Sequence, residues 1–575
     1  MKIYSNIVPE NKVREIQKET LNIIAEALGK SFGPKGSSTA FVKNLDSKEV
    51  NVTVEHTKDG HTIVKNIQFL YPIERSVQDI LTELTRHVVN EIGDGTTSAI
   101  ILCKTVFDAL CDADVIIENS PSDTINRINN IVKEVSRRIL EKGRECTLDD
   151  IYNIALISTN NNEEIAGTLK KMYEKYGMDV YIDVGISTES DNIVKEYDGM
   201  TLDTGFTDIC FINNKQNNCS YIRNPKIYCF NDPIDTPEMT AMVEAIIDNN
   251  IIRAYRPNSV YEPIPTVIFC KAISPDTASY FEKVVTLMNS QEGIPLLIVS
   301  DIHQDYLYED IAKMTGSPFI KKYLNPDMQI ADQEAGLAPT MENIYDFCGS
   351  AELVQSDDTK TKVIRPAKMF NEDGSYSDEY NSMLSYLKTQ IEKCKNEDAG
   401  VEATARAKRR YNCFKGNMVD FLIGGITLSD RNNLKGAVED AVLNCRSAAI
   451  NGVGYGANYM AFSTITEMKN ETEYSGDAVV GILYDAYEKL LDILYSKSYN
   501  STEVKDILAG SINNGCPLNI RTNEYDKKVL SSIRSDVVIL EAINKILSLM
   551  FITNQYLVQT PAHNVYAGSE ESLND

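Results

Sequence analysis

The periodicity of apolar residues changes character twice along this chain, and that order restricts the folds open to it. Near the start, Val13, Ile16, Ile23, Ile24, Ala27 and Leu28 recur at three- and four-residue spacing, the mark of one buried helical face. Further helices are expected over 77–91 and from Thr96 onward, where 99–102 is an apolar body. Between Gly199 and Gly416 short apolar strands alternate with helical stripes. Thr266–Cys270, then a helix opened by Ser274, Pro275 and Asp276 and striped by Phe281, Val284, Val285 and Met288, then Leu296–Val299, read as a βαβ unit. The segment 256–265 reads as a surface loop. Over 434–450, 484–494 and 537–549 the pattern is helical again. An α/β segment inserted into a helical body made from both chain ends satisfies this order.

A chain of 575 residues exceeds one hydrophobic core and predicts several domains. Its formal charge of -26 disfavours nucleic acid phosphates and anionic membranes as partners. The twelve cysteines include no C-x-x-C pair, and the five histidines are dispersed, so neither a zinc site nor a disulfide framework is expected. No apolar signal core opens the chain and no apolar run is long enough to span a bilayer. A reducing cytoplasm is the expected compartment. The acidic stretch 569–575 reads as a disordered tail.

Three glycine-containing stretches could meet an anion. Gly93-Asp94-Gly95-Thr96-Thr97 directly precedes a helix. Glycines allow close backbone approach, and the unsatisfied first-turn N–H groups attract phosphate. Thr96, Thr97 and Ser98 add hydroxyls, and Asp94 could hold Mg²⁺. Ser31-Phe32-Gly33-Pro34-Lys35-Gly36 and Lys58-Asp59-Gly60 could form further loops at such a site. Taken singly, each reads first as an ordinary helix cap or turn. Asp440 in Val438-Glu439-Asp440 reads as a first-turn helix residue, serving either the dipole or a hydrolytic water.

Together, in chain order, these stretches resemble the chaperonin family, nearest to its bacterial group I class and in a divergent form similar to those of large bacteriophages. Gly93-Asp94-Gly95-Thr96-Thr97 reproduces the family's G-D-G-T-T unaltered. Residues 31–36 resemble T-L-G-P-K-G, Thr57-Lys58-Asp59-Gly60 resembles T-K-D-G, and Ile157-Ser158-Thr159-Asn160 resembles I-S-A-N. Tyr197-Asp198-Gly199-Met200 and Cys210-Phe211-Ile212-Asn213 resemble V-E-G-M and Y-F-I-N, and Val438-Glu439-Asp440-Ala441 resembles V-E-D-A.

The resemblance implies a multidomain α/β chaperonin fold. A mostly helical equatorial ATPase domain would use 1–140 and 452–575, a small intermediate hinge domain 141–197 and 417–451, and an inserted α/β apical domain 198–416. Ser31, Phe32, Gly33, Pro34, Lys58, Gly95, Thr96, Thr97 and Ser98 would contact ATP. Asp94 would bind Mg²⁺, with K⁺ as a further candidate ion. Asp59 and Asp440 would position or activate water, Asp440 arriving only when its domain swings down. Gly456 and Ala457 stand where the family has G-G-G, Asn519 at the adenine side and Asp536 at the ribose. Here the chain departs from the pattern, reading Gly454-Tyr455-Gly456-Ala457-Asn458 and Asn519-Ile520-Arg521. Phe206, Phe211, Phe281, Val284, Leu307, Ile311 and Met314 would face unfolded polypeptide clients, and copies of the chain would form a homo-oligomeric ring. The apical A-P-G-F-G stretch is absent, which leaves a co-chaperonin open. A chaperonin-derived ring or scaffold with weak or no ATPase activity is the alternative.

Overall fold

The computed structural model describes residues 5–8, 10–44, 52–112, 121–178, 180–187, 189–202, 204–214, 218–287, 295–300, 305–323, 325–371, 373–396, 403, 406–407, 410–411, 414–415, 417–553 and 555–559. Met288 and the acidic stretch 569–575 lie outside the described residues. The chain divides into two compact units. One comprises Met1–Asp179, Val184–Ile193 and Leu422–Asp575; the other comprises Val180–Asp183 and Val194–Phe421.

The first unit is a helical body. Pro72–Ile92 starts with proline at its first position, where a missing N–H does no harm, and it buries Ile73, Val77, Leu81, Leu84, Val88 and Ile92 along one stripe. Gly93, in the left-handed region at φ 74°, ends it and returns its N–H to the Val89 carbonyl. The following helix, Thr96–Cys111, is buried on nearly every face between 98 and 103, as a central core helix must be. Helix Arg534–Ile552 packs into the same core, which thus joins both chain ends. The stretch expected over 434–450 is the later part of a longer helix, Leu428–Asn451. Thr427 caps it early by accepting from the Asp430 N–H. Asp440 therefore sits in mid-helix, not in a first turn, and the dipole reading of it does not hold.

The second unit is built on a sheet that includes, in spatial order, Ile193–Leu202, Thr361–Pro366, Gly349–Ser356, Lys226–Phe230, Thr266–Cys270 and Leu296–Val299. The last three strands run parallel, with Lys226 opposite Thr266 and Thr266 opposite Leu296. Helices Pro237–Asn250 and Pro275–Leu287 make the crossovers, so Thr266–Cys270 and Leu296–Val299 are buried along their whole length and Lys226–Phe230 is buried from Ile227 onward. The βαβ unit read from the sequence is present, and Ser274 starts its helix by accepting from the Thr277 N–H at 3.2 Å. No regular element occupies 256–265.

The apolar stripes expected to face clients pack inward instead. Phe211, Phe281, Val284, Ile311 and Met314 are buried in the core of this unit, and Phe206 and Leu307 pack against it. Helical spacing identifies residues that share a face; here that face lies on the sheet. Other apolar side chains of this unit are exposed, among them Met328, Ile330, Leu337 and Met341, at 62, 52, 68 and 51%.

Candidate functional site

Three loops of the first unit converge on one cavity of about 310 Å³. Helix Glu10–Ser31 ends at the first of them, with the Ser31 hydroxyl donating to the Leu28 carbonyl. Gly33 then takes φ +75°, and a Cβ there would overlap the Leu494 side chain. In the second loop, Asp59 caps the short helix Gly60–Asn66. One carboxylate oxygen accepts from the His61 N–H at 3.2 Å, the other from the Thr62 N–H at 2.8 Å and the Thr62 hydroxyl at 2.6 Å. These bonds lock the carboxylate orientation. In the third loop, Gly95 is left-handed at φ 91° and has no side chain to cap helix Thr96–Cys111. The uncapped helix start at Thr96, Thr97 and Ser98 lines the cavity, a local arrangement suited to an anion.

Ser31, Phe32, Gly33, Pro34, Lys58, Asp59, Asp94, Gly95, Thr96, Thr97, Ser98, Asp440, Gly456, Ala457, Asn519 and Asp536 all line this cavity. Asp440 is already there: its backbone abuts Gly93, where a Cβ would meet the Asp440 carbonyl oxygen at 2.9 Å. Its arrival therefore needs no swing from the arrangement described. Helix Leu428–Asn451 is held in place by Asn444, whose side-chain oxygen accepts from the Ser532 N–H at 2.9 Å.

The electrostatics are those of a crowded acidic pocket. Asp94 is open to solvent at the cavity wall yet ringed by protein, so it keeps contact with water while losing much of its hydration. That desolvation, with the Asp59 charge, raises its pKa against the lowering effect of the Gly95 N–H. Burial and then the charges of Asp94 and Asp59 hold Asp440 well above the usual carboxylate range. Asp536 is buried, accepts from the Ala461 N–H at 2.9 Å and is pushed up to about 6 by desolvation. It thereby caps helix Tyr459–Asn470 from outside. Among the described residues no three His, Cys, Asp or Glu side chains converge as a metal cage. The donor set of hard carboxylate oxygens instead fits Mg²⁺ that takes most of its ligands from phosphate and water.

The divergent segments acquire definite roles. Ala457 and Asn458 both adopt left-handed φ, 55° and 58°, and Ala457 stands where the related pattern has glycine. A methyl at such a φ is strained by about 1 kcal/mol. Ala457→Gly is therefore expected to raise the melting temperature; a fall would show that the methyl's packing outweighs the strain. Asn519 is spent on the turn that follows it, accepting from the Arg521 N–H and donating to Asp526. The Arg521 guanidinium reaches Asn160, donating to its carbonyl and side-chain oxygen at 3.1 Å each. Asn161, Asn444 and Leu494 also line the cavity, and sequence reasoning does not reach them as site residues; Asn458 and Arg521 line it too and enter the sequence reading only as departures from the family pattern. Asn160 lies within a stretch that resembles a family motif, but nothing in its neighbours' identities points to Arg521.

The TCP-1/cpn60 chaperonin family model matches residues 24–543. A chaperonin GroEL of Anaplasma marginale (strain Florida) is 25% identical over 477 residues, covering 81% of this chain and 78% of that protein. A chaperonin GroEL of Anaplasma phagocytophilum is 24% identical over 470 residues, covering 79% and 78%. Among solved structures, the chaperonin gp146 from the bacteriophage EL 2 (Pseudomonas aeruginosa), crystallised in the presence of ATP-BeFx, superposes with a TM-score of 0.70 at 16% identity, covering 96% of this chain and 99% of that one. A second crystal form of gp146 gives 0.64 at 15% identity.

Proposed function

The chain belongs to the TCP-1/cpn60 chaperonin family, and from that premise we propose that it is an ATP-hydrolysing subunit that assembles into rings, binds unfolded polypeptides and promotes their folding. One observation carries the nucleotide half: Asp59, Asp94 and Asp440 line a single cavity with the loops 31–34 and 93–98. In this reading the uncapped start of helix Thr96–Cys111 and Lys58 receive the phosphates, and the 518–521 segment faces the base. Asp536, beyond its capping contact, borders the ribose. Bound at Asp94, Mg²⁺ would offset negative charge on the phosphate oxygens; K⁺ is a further candidate there. Asp440, whose environment raises its affinity for a proton, accepts the proton of the attacking water, while the immobilised Asp59 carboxylate orients that water. The presence of ATP-BeFx with gp146 supports nucleotide binding by analogy.

The domain assignment goes with this reading: equatorial 1–140 and 452–575, intermediate 141–197 and 417–451, apical 198–416. Two isolated two-stranded sheets support assembly. Ser5–Val8 pairs with Tyr556–Gln559, and Thr39–Asn44 with Val52–Thr57. Such ladders are marginal alone and leave edges free to pair with another copy. Clients would dock on the exposed apolar residues Met328, Ile330, Leu337 and Met341. No helix of the described residues is long and apolar enough to cross a membrane, and we place the protein in a cytoplasm, that of a host cell if a phage encodes it.

Purified protein should release phosphate from ATP only with Mg²⁺, form rings in negative-stain images and suppress aggregation of a denatured client. Introducing Met328→Glu with Ile330→Glu should weaken client capture about tenfold or more and leave hydrolysis intact. Rings without any hydrolysis would establish the scaffold alternative. Client capture unaffected by the double variant would remove this docking surface.

A further inference from the structure

The cavity is poorly supplied with positive charge. Its wall carries Asp59, Asp94, Asp440 and Asp536 against Lys58 and Arg521. Arg521 is engaged by Asn160. A nucleoside triphosphate brings several more negative charges, so a nearby fixed cation would matter.

One cation lies just behind the wall. Lys497 follows helix Ala478–Tyr495, whose Leu494 lines the cavity. Its ammonium donates to the Phe32 carbonyl at 2.5 Å and to the Lys30 carbonyl at 3.2 Å. It forms no ion pair among the described residues. Burial, and then the neighbouring charge of Lys58, lower its pKa. Two backbone carbonyls of the loop hold it.

The consequence for the loop is geometric. The Phe32–Gly33 peptide is planar and trans, so its C=O and N–H point opposite ways. Tying the carbonyl to Lys497 turns the Gly33 N–H away from Lys497. Pro34 has no N–H, so Gly33 is the donor next to it. The rest of the loop is closed by Gly36 N–H to Gly33 carbonyl at 3.0 Å and Ser37 N–H to Lys30 carbonyl at 2.9 Å.

We propose that Lys497 is a positioning residue for the phosphates of the nucleotide: it clamps the 31–34 loop through its carbonyls and stations a positive charge behind it. This rests on the ATP reading of the cavity. The charge acts on the phosphates and not on the nucleoside, so its effect must grow with phosphate count.

Calorimetry on the full-length protein with Mg²⁺ tests this, using adenosine, ADP and the non-hydrolysable adenylyl imidodiphosphate. Lys497→Met keeps the stem and removes the charge; Lys497→Arg keeps the charge and two donors. Lys497→Met is expected to weaken the triphosphate about tenfold or more, ADP less and adenosine hardly at all. Lys497→Arg should recover most of that loss, and millimolar methylammonium should partly restore Lys497→Ala. Triphosphate affinity within twofold of wild type in Lys497→Met overturns the proposal. So does an equal loss for all three ligands, which would mark a collapsed loop, or a Lys497→Arg variant as weak as Lys497→Met. Wild-type protein that binds none of the ligands would overturn the nucleotide reading itself.

Discussion

Asparagine in place of Asp440 is expected to slow ATP hydrolysis by about 10²–10⁴-fold, the usual contribution of a general base, while making the nucleotide-free protein more stable. Both effects have one source. Asp440 is held above the usual carboxylate range by burial and by Asp94 and Asp59, so its ionised form is uncomfortable in the fold. Asparagine keeps the shape and loses both the base and the repulsion. The sign follows from linkage. A carboxylate whose folded pKa is raised binds its proton more tightly folded than unfolded. Its stabilising share is complete below the unfolded pKa and is lost as pH rises through the folded value. Asp536 sets a numerical window, since its pKa moves from the ordinary 3.8 to about 6. Stability of the nucleotide-free protein should therefore fall as pH rises from about 4 through 6. Asp536→Asn, which can still accept from the Ala461 N–H, should recover on the order of 2–3 kcal/mol at neutral pH. Single-turnover phosphate release at saturating ATP and denaturant titrations across this pH range measure the two effects. Parallel pH–stability curves for wild type and Asp536→Asn would contradict the electrostatic account.

Replacing Lys362 by methionine should be the most damaging single change in the second unit. Lys362 is buried between two carboxylates, 2.5 Å from Asp183 and 2.8 Å from Asp420, and Lys360 adds a contact to Asp183 at 3.1 Å. The two acids respond differently. Burial works to raise Asp183, but the two ammonium groups facing it outweigh burial and its pKa falls to about 2. At Asp420 burial wins and the pKa rises, because its bond to Lys362 is set against the neighbouring charge of Asp183. Removing Lys362 would leave Asp420 buried without that partner, a loss typically worth about 3–5 kcal/mol. Hydrogen exchange along Thr361–Pro366 would report it locally, and urea unfolding globally. Adding Asp420→Asn to Lys362→Met should recover part of the loss; no recovery would show that packing of the lysine stem dominates. Asp183's share of stability is present above about pH 4 and disappears as pH falls through about 2.

Much of the helical body is legible in the sequence because periodicity and punctuation agree. The stripe ending in Ile92 and the glycine after it are enough to mark a helix and its stop. The glycine loops are legible as anion sites only as a set, since each alone is an ordinary turn. Asp440 is legible as a residue but not in its place, because Thr427 caps its helix well before the apolar stripe begins. The expectation for client-facing residues fails for another reason. Spacing says which side chains share a face, but burial on the sheet or exposure to water is settled by what packs there.

Lys497 is invisible as a site residue in the sequence, and Arg521 enters it only as a departure from the adenine-side pattern. Each acts through a carbonyl or amide hundreds of positions away: Lys497 on Lys30 and Phe32, Arg521 on Asn160. The order of helical, mixed and helical segments, the glycine loops and the three aspartates are written in the sequence, since they depend on local backbone preference and on residue identity. Only the tertiary structure decided that the aspartates share one cavity, that Lys497 stands behind its wall, and that the second unit's apolar stripes belong to its core. Those facts depend on distances between segments remote in the chain, which no local pattern encodes.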